Sequence, residues 1–225
     1  MDKNKNYEQL KSLAIELGAA AFGVCDIKKE KEGFNLQPAE TEGLDFAVSI
    51  AVRLSRKVLD GIVDRPTQLY FHHYRQANSL LDHMAIRLTG HIQEQGFNAL
   101  PIPASQIIDW EKQTAHISHK RIAELAGIGW LGRHNIIVHP EYGAQIRLSA
   151  IFTDMPLSID KALDMNCASC RRCIDACPAG AIKGFQKEFD HQACFEKLKF
   201  FQKQRYVSQY ICGICVKACQ GKGVT

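Results

Sequence analysis

Eight cysteines crowd between Cys167 and Cys219, while Cys25 stands alone in the chain before them. So many thiols in so short a stretch cannot serve merely as small core residues. They need partners, either disulfide bonds or metal. Residues 1–17 are polar and charged, with no apolar signal core. No run of about 18 apolar residues is present, so no membrane span is expected. The expected compartment is cytoplasmic, where thiols stay reduced and act as metal ligands or catalysts.

The spacing narrows the choice. Cys167-x2-Cys170-x2-Cys173-x3-Cys177 is followed by Pro178, which is the bacterial ferredoxin spacing for 4Fe-4S clusters. Two-residue gaps let one tight loop aim three thiolates at three corners of a cube. The fourth cysteine lies a helical step further on and reaches a second cube. A matching half-motif follows in Cys194 and Cys212-x2-Cys215-x3-Cys219, which runs into Gln220 where the first has proline. By this cross-over rule Cys167, Cys170, Cys173 and Cys219 hold cluster 1, and Cys177, Cys194, Cys212 and Cys215 hold cluster 2. Two zinc sites are the alternative, although four-cysteine zinc sites favour separate CxxC pairs. Cys25 reads as a buried apolar residue. Two cubes held this way form an electron relay.

The rest of the chain must say what the electrons do. Its 225 residues are 46% hydrophobic and 23% charged, enough for a sizeable core, and the net charge of +4 is too small to argue for nucleic acid. Helical spacing at Leu10, Leu13, Ala14 and Leu17 predicts a helix over 6–17, stopped by Gly18. Strands are expected at 19–27, 45–52, 97–102, 135–139 and 145–152. A long helical stretch, one helix or two, is expected over 67–95, burying Leu69, Leu80, Leu81, Met84, Ile86, Leu88 and Ile92. A short helix is expected over 118–125, and residues 126–132 read as a glycine-rich turn. Alternating strands and helices predict an α/β (α+β) sandwich domain over 1–155. A small bacterial-ferredoxin-like module with two 4Fe-4S clusters follows over 156–225.

The stretch Ala126-Gly127-Ile128-Gly129-Trp130-Leu131-Gly132-Arg133 admits two readings. Gly127, Gly129 and Gly132 let the backbone approach a flat ligand closely, with Trp130 as a stacking face and Arg133 as partner to an anionic group. Alternatively the glycines pack helix on strand. With the Phe152-Thr153-Asp154-Met155-Pro156-Leu157 run and the two cysteine motifs, this loop resembles the epoxyqueuosine reductase-like family, which is itself similar to the reductive dehalogenases. The resemblance implies an α/β domain that binds cobalamin. It also implies two clusters that feed electrons to cobalt, whose reduced form removes oxygen from an epoxide or halide from carbon. A buried 4Fe-4S cluster is a fitting low-potential donor for that chemistry.

The family carries an acidic proton donor upstream of the glycine loop, but here that place falls near Gln113. Asp109 and Glu111 lie a few residues early, and His116 and His119 stand as candidate donors or as ordinary hydrogen-bonded residues. Epoxyqueuosine reductases also continue into a helical repeat domain that grips tRNA. The chain therefore reads as a short form for which a tRNA substrate is not expected. The expected function is a corrinoid-dependent reductase supplied by a low-potential donor such as ferredoxin or flavodoxin. The alternative is a ferredoxin-type carrier that reduces a corrinoid protein or another redox partner.

Overall fold

The computed structural model describes residues 2–221. In chain order the main elements are α1 (Lys3–Glu16), β1 (Ala21–Asp26), α2 (Pro38–Thr41), β2 (Phe46–Arg53), α3 (Arg56–Asp60), α4 (Gln68–Glu94), β3 (Ala99–Ile102), α5 (His119–Leu125), β4 (Trp130–Leu131), β5 (Ile137–Val138), β6 (Ile146–Thr153), α6 (Arg172–Ala176), α7 (His191–Lys203) and α8 (Ile214–Ala218). They sort into two compact units. One comprises residues 2–52, 78–128 and 147–163, the other 53–77, 129–146 and 164–221. The cysteine distribution suggests a single division after residue 155, whereas the units interleave along the chain.

The first unit is a mixed α/β body around a four-stranded sheet of order β1-β2-β6-β3. β1 runs antiparallel to β2 with Val24 opposite Val48, and β3 antiparallel to β6 with Ile102 opposite Ala150. Pro101 is tolerated because β3 is an edge strand. Residues 47–52 of β2 are all buried, so the alternation of Val48, Ile50 and Val52 with Ala47, Ser49 and Ala51 separates large from small side chains. It does not separate inside from outside. Asp2 caps α1 by accepting from the Asn4 and Lys5 amides at 3.0 and 3.2 Å, and the helix buries Tyr7, Leu10 and Ala14. Asp160 accepts from the Tyr7 hydroxyl at 3.1 Å and from the Val24 amide at 2.8 Å, tying helix and strand to the segment after β6.

α4 is a single helix, capped by Thr67, whose hydroxyl accepts from the Tyr70 amide at 3.1 Å. Leu81, Met84, Leu88 and Ile92 form its fully buried stripe in the first unit, at the three- and four-residue steps of one helical face. Leu69, Leu80 and Ile86 point outward, at 63%, 43% and 63% exposure, contrary to the sequence expectation.

α1 and α5 both pack on β1. That packing requires Gly23, where an added Cβ would lie 2.1 Å from the carbonyl oxygen of Ala126. Gly23→Ala must push α5 off the strand. Overpacking against backbone costs about 1–3 kcal/mol, and melting should fall by roughly 2–4 °C for each kcal/mol lost, read by circular dichroism.

Candidate functional site

The second unit contains the cysteines. α6 and α8, five residues each, pack on one another. They are built alike: Cys173 and Cys215 are second in their helices, and Cys177 and Cys219 are the C-caps, where the backbone turns extended at ψ 112° and 107°. The x3 spacing therefore sends the second thiol of each pair away from the first. Gly213 begins α8 at φ +82°, and an added Cβ there would meet Ile62 and Tyr70 at 2.7 Å. Lys217 fixes the helix by donating to the carbonyls of Asp60 and Ile62 at 3.1 and 2.6 Å. Cys194 sits in the first turn of α7, which Asp190 caps by accepting from the Ala193 amide at 2.9 Å.

The thiols fall into two electrostatic sets. Cys173 interacts with Cys219, Cys167 and Cys170, and these four line one cavity. Cys212 interacts with Cys194 and Cys177, and Cys215 with all three. Burial, more than any neighbouring charge, pushes Cys173 and Cys212 up to about 11 and raises Cys194, Cys215 and Cys219. Such thiolates are unfavourable unless cationic iron compensates them. Among the described residues no group of three or more His, Cys, Asp or Glu gathers as tightly as a single ion needs. A cube instead spreads four thiolates over four separate irons. Cys25 lies outside these sets, 3% exposed and pushed up to about 12 by burial, an inert core thiol.

The glycine-rich stretch has a different role from the open ligand cradle. An added Cβ at Gly127 would meet the Lys161 carbonyl at 2.6 Å, at Gly129 the Val138 carbonyl at 2.3 Å, and at Gly132 the His134 ring at 2.8 Å. The protein's own chain fills each space. β4 forms where the sequence suggests only a turn, and it pairs antiparallel with β5, inside the strand expected over 135–139, setting Trp130 opposite Val138. Trp130 is 5% exposed and offers no open stacking face. Its indole lines the cavity of Cys167, Cys170, Cys173 and Cys219, and its Nε1 is buried without a partner among the described residues. That orphaned donor and the four thiols fit a cluster with acceptor sulfurs.

Arg133 meets no anion here. Its guanidinium donates to the carbonyls of Cys170 and Ala168 at 2.6 Å, of Cys167 at 3.3 Å and of Gly184. Ala168 is left-handed at φ 42°, so the clamp braces the conformation that the first CxxC loop needs. His134, which sequence reasoning passed over, is 3% exposed and lines the same cavity. Its Nδ1 accepts from the Ile136 amide at 3.2 Å, and burial lowers it to about 4. Gly132, two residues earlier, was the signal, because only glycine leaves room for that ring.

The candidate proton donors lie in the first unit. Asp109 accepts from the Glu111 and Lys112 amides at 2.9 and 3.0 Å, and these backbone bonds hold its carboxyl below its usual range. An anion so held is a poor acid. Gln113 turns this loop at φ 53°. His116 Nδ1 donates to the Asn35 carbonyl at 3.2 Å. His119 Nε2 donates to the Pro103 carbonyl at 2.8 Å, leaving Nδ1 buried and without a partner among the described residues. Burial is the main cause lowering His119 to about 4, so its ring is neutral near pH 7 and Nδ1 has no proton to give. Elsewhere, His73 Nε2 accepts from the Ser55 amide at 2.8 Å and Arg75 lies over Phe71.

Residues 166–222 match the family model of a 4Fe-4S double cluster binding domain. An epoxyqueuosine reductase of Bacillus cereus is 35% identical over 121 residues, 49% of this chain and 31% of that protein. That of Vibrio cholerae is 25% identical over 211 residues, 81% of this chain and 55% of that protein. The chain thus spans a third to about half of the length of these relatives. A catabolic reductive dehalogenase solved with 3-bromo-4-hydroxybenzoic acid shares the fold, with a TM-score of 0.76 and 20% identity over 97% of this chain and 32% of that one.

Arg133→Ala removes the brace from the first cysteine loop. Iron should fall from about eight toward about four per chain, and Arg133→Lys should restore it only partly, because an ammonium cannot span the carbonyls of the fork. Iron analysis of anaerobic protein checks both. In ring-labelled histidine NMR spectra, the signal lost in His119→Gln should stay at the neutral-form position as the pH falls through 6.5, the ordinary midpoint, toward its own value of about 4. The chain thus carries a 4Fe-4S double cluster binding domain over residues 166–222 and is similar in sequence to epoxyqueuosine reductases and in fold to a reductive dehalogenase.

Proposed function

We propose that the chain is an iron–sulfur reductase in which two 4Fe-4S clusters pass single electrons to a cobalamin that acts on a substrate. The observation that carries the relay is the sorting of eight thiols into two sets on packed, like-built helices. Cys215 of one set also feels the charge of Cys173 of the other. Clusters so close exchange electrons readily, and the apolar packing that raises the thiols also excludes water.

The corrinoid part rests on kinship of fold. A reductive dehalogenase structure that suggests a mechanism for B12-dependent dehalogenation superimposes with a TM-score of 0.68 over 81% of this chain. The residues singled out in the sequence do not fit a corrin ring, since Gly127, Gly129 and Gly132 have no free space, Trp130 is enclosed and Arg133 is taken up by carbonyls. Any corrin must be held by other residues. Within the chain, the cysteine loops position the clusters, Arg133 holds the first loop, and His116 can present a proton. A ferredoxin or flavodoxin in a reducing cytoplasm is the proposed electron source. Among the described residues no helix is long and apolar enough to cross a membrane.

The test is anaerobic purification with cobalamin, followed by iron analysis and visible spectroscopy. Wild-type protein should retain about one corrinoid and about eight irons per chain. Cys173→Ser and Cys194→Ser should each lose about half the iron, from different clusters, while keeping the corrinoid. Iron–sulfur absorption with no retained corrinoid would favour a pure electron carrier. Full iron in both variants would sink the ligand assignment.

A further inference from the structure

Two donors on one hairpin stand beside the thiols assigned to cluster 1. Trp130 opens β4, and His134 sits in the turn between β4 and β5. Both line the cavity formed with Cys167, Cys170, Cys173 and Cys219. The indole Nε1–H is buried with no partner among the described residues. A buried N–H left unpaired is destabilising, so its persistence calls for an acceptor that the polypeptide does not supply. In His134, itself 3% exposed, the Ile136 amide occupies Nδ1, so a neutral ring carries its proton on Nε2. The hairpin fixes both rings. Gly132 N–H donates to the Ile136 carbonyl and Asn135 N–H to that of Gly132, each at 2.9 Å. The missing Cβ of Gly132 makes room for the imidazole.

We propose that the Trp130 indole and the His134 imidazole each donate a hydrogen bond to sulfur of the cluster held by Cys167, Cys170, Cys173 and Cys219, raising its reduction potential. The inference rests on the ligand assignment made above. An added electron spreads onto the sulfurs and strengthens N–H···S bonds, so such donors favour the reduced state. Both residues are positioning groups for the relay. By raising that potential they favour electron transfer onto the cluster beside the hairpin.

The experiment is an EPR-monitored redox titration of the two-cluster protein. Trp130→Phe and His134→Leu should lower the midpoint of one cluster only, with iron content unchanged. The expected change is a tenfold fall in its reduced-to-oxidised ratio at fixed potential, or about 59 mV for a one-electron couple. His134→Gln, which keeps an N–H donor, should restore much of the loss. Unmoved midpoints at full iron content would overturn the proposal. A second measurement serves if a variant loses iron. The chain has two tryptophans, so in a Trp110→Phe background with 15N-indole label, pulsed EPR of the reduced cluster reads Trp130 alone. A nitrogen coupling supports the bond, and its absence refutes it. Cys173→Ser separates the two failures. If both EPR signals survive that change, the ligand assignment is at fault. If one signal vanishes yet Trp130 shows no coupling, the donor idea alone fails.

Discussion

Negative sulfur in a dry setting is the constraint from which the second unit is built. Burial raises five of the eight thiols, Cys173, Cys194, Cys212, Cys215 and Cys219. A strongly bound cationic metal centre makes their ionised forms stable there. Short helices follow from the same need. A longer α6 or α8 would keep Cys177 or Cys219 in helical register with its neighbour, whereas ending at the cysteine turns its thiol elsewhere. The chain then has to hold strained loops in place with ordinary contacts. It does so with a guanidinium on carbonyls at Arg133 and an ammonium on carbonyls at Lys217.

How much was legible in the sequence depends on what kind of rule governed each part. The cysteine module was readable because ligand spacing is set by cluster chemistry and tolerates little variation. The strands at β1, β2, β3 and β6 and the helix α5 were readable within a few residues from apolar runs and from the Ser118 cap. Exposed Leu69, Leu80 and Ile86 were misjudged because residue type alone does not say which stripe of a long helix meets the core. Of the β4–β5 hairpin, β5 is legible in the 135–139 run, while β4 is not, because its glycines imitate a loop although they are there to admit Val138 and His134. Arg133 was assigned an anion because carbonyl partners have no signature in sequence, every residue having one.

Both units use polar anchoring between segments distant in the chain. Asp160 joins α1 to β1 across more than a hundred residues, as Arg133 joins the hairpin to the cysteine loop. Such anchors contribute modest stability singly, about 1.5–3 kcal/mol when one partner is charged. Their value lies in specificity, since each is satisfied in one arrangement only. The neutral imidazoles of His119 and His134 serve likewise, with one ring nitrogen committed to backbone and the other left facing a defined environment.

Interleaving of the two units along the polypeptide has a consequence for biosynthesis. Neither body corresponds to a continuous stretch, so no single cut of the gene separates them, and a cut after residue 163 takes residues 53–77 and 129–146 away from the cysteines. Residues 53–77 and 129–146 leave the ribosome well ahead of the cysteines they must join. The hairpin and its arginine fork are therefore made before the thiols that receive iron, and delivery of the inorganic cores has to wait until Cys219 has been made.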